Sequence, residues 1–168
     1  MTKLLGAVLI LLACVTMGQW AARRLKERVS LLSGLQQGIV ALSKEIAYSA
    51  TSMSEALQRA AAAAGRAGDL FAQAGRTLRQ GDGLTAGEAW QQVIAQQTSI
   101  DAELRSLLEL PAAGLGLSDS ESQVKQLELC RERLREAELQ AEERERQYGK
   151  IYRSMSWACG AVLVLFLL

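Results

Sequence analysis

Histidine is absent from the 168-residue chain. That removes the usual general base near neutral pH, the commonest zinc ligand and any Ser-His or Cys-His pair. The three cysteines, Cys14, Cys130 and Cys159, are too scattered for a zinc site or a disulfide framework. Gly81-Asp82-Gly83 and Gly114-Leu115-Gly116 lack the lysine and the strand context that a phosphate cradle needs, and read as turns or caps. Carboxylates are numerous, but those that periodicity places fall mainly on exposed helix faces rather than as an acid–base pair. No catalytic, cofactor-binding or metal-ligating residue is assigned. The expectation is a non-enzyme that needs no cofactor.

The remaining composition points the same way. Lys+Arg 19 against Asp+Glu 18 leaves a net charge of +1, with no global field to attract nucleic acid. One proline and few aromatic residues argue against an all-β chain, and abundant Ala, Leu, Gln, Glu and Arg argue for helix.

Leu4 to Ala22 is free of charge, and its 19 residues are close to the roughly 20 that cross a bilayer as a helix. Ser154 to Leu168 is again uncharged. Its 15 residues span on the order of 22 Å as a helix, short of a hydrocarbon core of about 30 Å. That helix must borrow Ile151 and Tyr152 or thin the bilayer locally. Leu11-Leu12-Ala13-Cys14 also fits a lipoprotein box with Cys14 lipidated, but the apolar run continues past Cys14, which favours a retained transmembrane helix. Arg23, Arg24, Lys26 and Arg28 follow the first segment, and Lys150 and Arg153 precede the second. The positive-inside tendency therefore puts the intervening chain in the cytoplasm. Setting topology accounts for these six residues, and they also suit contact with anionic head groups. The expected organisation is a transmembrane helix at 1–24, a cytoplasmic helical domain at 25–150 and a second transmembrane helix at 151–168.

No stretch of the domain alternates apolar and polar residues as a strand would. Ser52-Met53-Ser54-Glu55, Thr85-Ala86-Gly87-Glu88 and Ser118-Asp119-Ser120-Glu121 each place a hydroxyl three residues before a glutamate, the capping-box pattern of a helix start. Leu25, Val29, Leu32, Leu35, Ile39, Leu42 and Ile46 recur at spacings of three or four. They predict that the first helix runs on into the domain as one apolar stripe. Shorter helices are expected near 53–66, 68–80, 85–97 and 100–112. The last helix, from Asp119 onward, carries a narrow seam of Leu127, Cys130, Leu134, Ala137 and Ala141. Its other faces are densely charged, which reads as a solvated surface or an electrostatic docking face. The expected core anchors are Tyr48, Leu57, Phe71, Trp90, Leu127 and Leu134. Cys130 is expected as a small buried residue. The first and last soluble helices are expected to pair antiparallel.

In order and spacing, several pieces resemble the stage III sporulation protein AB family of endospore-forming bacteria. They are Lys3-Leu4-Leu5-Gly6-Ala7-Val8, Ala22 to Arg28, Leu42 to Tyr48, Thr51 to Leu57, Phe71, Ala89-Trp90, Leu115 to Asp119 with Gln123, and Tyr148 to Ser154. The sequence departs at Ser52, where the family commonly has proline, and at Pro111, which shortens the preceding helix. The family's soluble domain is similar to the cytoplasmic domains of the inner-membrane platform proteins of type II secretion and type IV pilus systems, compact bundles of about six helices. The fold class implied is all-α, with transmembrane helices flanking a cytoplasmic bundle that ends in a long helix.

The resemblance implies a part of the channel complex linking mother cell and forespore. The chain would sit in the outer forespore membrane with its domain in the mother-cell cytoplasm. By analogy with secretion platforms it would dock the complex's cytoplasmic ATPase, stage III sporulation protein AA, alongside other channel subunits, with self-association as a further expectation. Glu45, Asp119 and Gln123 are polar motif positions and candidate partner residues. Their local alternatives are a helix-surface charge, first-turn dipole support and a local hydrogen bond. The competing reading is a passive membrane subunit that acts through self-association of its transmembrane helices.

Overall fold

The computed structural model describes the backbone of residues 2–49, 51–81, 83–98, 100–112, 114–116 and 119–167, and their side chains except at 2–15, 18 and 149–167. Every regular element among the described residues is a helix. The order is α1 (Thr2–Tyr48), α2 (Met53–Ala63), a 3-10 turn (Gly65–Ala67), α3 (Gly68–Gln80), α4 (Ala86–Gln96), α5 (Ala102–Glu109) and α6 (Ser120–Leu167). Two compact units share the long helices. Residues 1–29 with 139–168 make one, and residues 30–138 the other.

Among the described residues no helix is long and apolar enough to cross a membrane. The side chains of residues 2–15 and 154–168, on which the two expected spans chiefly rest, lie outside the described set.

The core of the 30–138 unit begins with the α1 stripe. Leu32, Leu35, Ile39 and Leu42 are all buried, as helical spacing of three and four requires of one face. Gly34 and Gly38 lie four residues apart, on one face of the same helix. A β-carbon on Gly34 would overlap the carbonyl oxygen of Ala64, and one on Gly38 would overlap the Phe71 ring and the Ala64 methyl. The α1 backbone therefore lies directly on the end of α2 and on α3. Ala60, Ala64, Ala67 and Ala74 are buried. The alanine-rich stretch serves this close approach.

Phe71 on α3 and Trp90 on α4 are buried with ring centroids 5.0 Å apart, tilted by 51°, a favourable aromatic arrangement. Trp90 Nε1 also donates to the Leu108 carbonyl at 2.8 Å. That bond has a local cause. α5 spans eight residues and stops before Pro111. Proline has no N–H, so Leu107 O loses its ordinary partner four residues on. Ala112 N turns to Glu109 O at 3.1 Å instead, so Leu108 O also lacks one. Trp90 supplies the donor for Leu108, and the Cys130 thiol donates to Leu107 O at 3.4 Å. The free carbonyls at the end of α5 are thus closed by side chains of α4 and α6.

The segment after α5 is held as tightly. A β-carbon on Gly87 would overlap the Ala112 carbonyl oxygen, so the start of α4 lies directly on this turn. Gly116 has φ +81°, a conformation that suits glycine. Its amide donates to Gln123 Oε1 at 3.1 Å.

The helix starts divide. Thr85 forms the full box: its hydroxyl accepts from Glu88 N, and Glu88 accepts from Thr85 N at 2.8 Å. Ser52 stands at the N-cap of α2, but its side chain makes no capping bond. Glu55 turns instead to Arg59 at 2.9 Å. At α6, Ser118 lies outside the described residues, and Asp119 Oδ2 accepts from Ser122 N at 3.0 Å. The expected 53–66 helix ends at Ala63, where the chain tightens into the 3-10 turn with Gly65 at φ +49°.

Two stability predictions follow from this packing. Gly38→Ala should lower unfolding stability by about 1–3 kcal/mol through overpacking, whereas the same change on an open helix face would raise it by about 1 kcal/mol. Trp90→Phe should cost at least about 1–3 kcal/mol, because the buried Leu108 carbonyl loses its donor and the smaller ring leaves a void in the core. Urea denaturation followed by circular dichroism reads both.

Candidate interaction surface

The polar positions expected to face a partner are largely occupied within the chain. Glu45 accepts from Arg59 at 3.0 Å, and Arg59 reaches Glu55 at 2.9 Å, so one guanidinium ties the end of α1 to α2. These groups are partly exposed, and the bridge fixes the elbow more than it stabilises the fold. Gln123 is only 7% exposed. It is a buried turn clasp and not a surface residue, because its amide oxygen is needed by Gly116 N. Asp119 is exposed and serves as the α6 cap.

Leu57, Phe71, Trp90, Leu127 and Leu134 are buried. Tyr48 is 89% exposed, which corrects its expected place in the core. It lies six residues beyond Leu42, about 240° around the helix from the buried stripe, and it is the last residue of α1. Of the basic residues expected to orient the chain, Arg23, Arg24 and Lys26 are exposed and Arg28 is half-buried. The side chains of Lys150 and Arg153 lie outside the described residues.

Sequence reasoning missed Arg59 and Gln36. Arg59 carried a signal, its position four residues after Glu55. Gln36 donates to Glu138 at 2.7 Å across 102 residues of sequence, joining α1 to α6 without any local signal.

The surface left open is the outer face of α6. Leu127, Cys130 and Leu134 are buried on one side. Glu128, Leu129, Glu132, Arg133 and Glu136 are exposed on the other. Arg131 lies 3.8 Å from Glu132 beside this row. Leu129 is a large apolar side chain within the charge. No group of three or more metal-capable side chains occurs among the described residues. Burial pushes the Cys130 thiol up to about 12, so at neutral pH it is a packed thiol and not a nucleophile. The geometry is that of a rigid helical surface that can present charge to another macromolecule.

A family model described as stage III sporulation protein AB matches residues 3–168. The chain belongs to the stage III sporulation protein AB family. Stage III sporulation protein AB of Bacillus subtilis (strain 168) is 28% identical over 172 residues, with the whole of both chains covered. No solved structure matches the chain. In this family member the motif residues Glu45 and Gln123 serve internal geometry, while Tyr48 is exposed.

The Asp119 cap has a pH signature. Hydrogen bonds from Ser122, led by its backbone N–H, hold the Asp119 carboxyl below its ordinary value. Its contribution is therefore present above the unfolded value of about 3.9 and lost as pH falls through the lower folded value. Asn caps helices as well as Asp does. Asp119→Asn should leave the melting temperature at pH 7 nearly unchanged and flatten its fall as the pH drops below about 4. Thermal melts across that range check this.

Proposed function

We propose that this chain is a non-enzymatic membrane platform component of the channel complex between mother cell and forespore, and that it docks the complex's cytoplasmic ATPase, stage III sporulation protein AA. In this reading residues 1–24 and 151–168 are transmembrane helices and 25–150 is the cytoplasmic domain. The basic residues beside each span hold that domain on the mother-cell side of the outer forespore membrane.

The observation that carries the reading is the two-sided α6. Its inner seam is fixed by Leu127, Cys130 and Leu134. Its outer face presents Glu128, Glu132 and Glu136 in a row, one turn apart, with Leu129 and Arg133 beside them. Rigid charge arranged in this way steers association and selects partners. The family match over residues 3–168 supports a role in sporulation, and the likeness to secretion platforms supplies the ATPase by analogy.

The test is binding of the detergent-solubilised full chain to stage III sporulation protein AA, by light scattering at low and high salt. A defined complex that weakens at high salt is expected. The double variant Glu132→Lys/Glu136→Lys should abolish it with an unchanged melting temperature. Absence of a complex at high micromolar concentrations of both proteins would overturn docking and leave the membrane helices as the working part.

A further inference from the structure

Charge is divided unequally between the two units. Residues 1–29 with 139–168 carry nine Lys+Arg against four Asp+Glu, and residues 30–138 carry ten against fourteen. The excess is densest on α1 just after its apolar run, where Arg23, Arg24, Lys26 and Arg28 surround one acid, Glu27.

The side chains here are ordered along the helix axis. Met17, Trp20, Arg24 and Arg28 recur at spacings of three and four, and so share a face. Met17 is 76% exposed and Trp20 59%. Arg24 is exposed, with its guanidinium carbon 4.1 Å from the Trp20 ring centroid. One face therefore runs from apolar to aromatic to cationic within three turns. An amphipathic helix lying on a surface would segregate these classes around its axis. Segregation along the axis fits a helix that crosses an apolar–polar boundary, with the indole at the boundary. The Arg24 guanidinium lies over the Trp20 ring, and a guanidinium can make paired hydrogen bonds to a phosphate.

We infer that the Met17–Lys26 stretch of α1 is a binding surface for anionic phospholipid, with Trp20 at head-group level and the exposed Arg23, Arg24 and Lys26 against the lipid phosphates. The inference rests on the membrane-spanning reading above and adds selection among lipids to it. Zwitterionic lipid supplies the same phosphate but no net charge, so the excess of cations favours phosphatidylglycerol over phosphatidylcholine.

The full chain carrying Trp157→Phe, which leaves Trp20 and the buried Trp90, is reconstituted in vesicles that contain either acyl-brominated phosphatidylglycerol or acyl-brominated phosphatidylcholine at equal mole fraction, and quenching of tryptophan fluorescence is read. Brominated phosphatidylglycerol should quench at least twofold more. The excess should shrink at high salt and disappear in the variant Arg23→Gln/Arg24→Gln/Lys26→Gln, whose melting temperature is checked alongside. Equal quenching by the two lipids from a chain that resists alkaline carbonate extraction would overturn the selection and leave the membrane reading standing. A preference that survives in the variant would overturn its assignment to these residues. No quenching from a carbonate-resistant chain would overturn the placement of Trp20 against lipid. No quenching together with release by carbonate would overturn both readings.

Discussion

The contact between Phe71 and Trp90 holds the 30–138 unit together, because each ring does a second task. Phe71 fills the space that Gly38 leaves open on α1. Trp90 reaches past its own helix to donate to Leu108 on α5. One aromatic pair thereby connects α1, α3, α4 and α5. Neither ring tolerates much change in volume, since interiors are packed at crystal-like density and neighbours relax only in part. The small residues around the pair are the other half of the constraint. The Ala64 methyl lies against Gly38, and a larger side chain there would push α1 away from the Phe71 ring.

A second constraint is polar. α5 is too short to satisfy its own ends, and Pro111 removes a donor that would otherwise extend its hydrogen bonding. Asp101 caps its start through Leu104 N at 2.9 Å, and Trp90 and Cys130 close its finish. This explains why a cysteine fits the α6 seam. Its small side chain fills the space of a hydrophobic residue and still offers a weak donor. Buried polar groups without partners are costly, so a short helix can be kept in this core only where its neighbours supply these atoms.

Function follows from which surfaces those internal demands leave free. Glu45 and Gln123 are polar residues in recognisable motifs, yet one fixes the α1–α2 elbow and the other a glycine turn. Their positions in the motif reflect geometry. What remains outward is the charged face of α6 in one unit and the apolar-to-cationic face of α1 in the other. The first is the face on which the proposed docking rests. The second suits an interface between hydrocarbon and charged head groups.

The sequence by itself determined the all-helical class of this protein and the family to which it belongs. Apolar spacing, the Thr85 capping box and the break at Gly81 are local signals, and local hydrogen bonding and helix periodicity act over only a few residues. The ends of α2 and α5, expected at 66 and 112, come earlier, at Ala63 and Glu109. The buried α1 stripe and the α6 seam were legible for the same reason, since periodicity states which residues share a face. Only the tertiary structure decided which polar groups are spent inside the molecule. Gln36 meets Glu138, Trp90 meets Leu108 and Gln123 meets Gly116 because folding brings distant turns together. Tyr48, at the last position of α1 and off its buried stripe, stands exposed. Such pairings depend on how neighbouring elements approach, and no spacing rule along the chain encodes that approach.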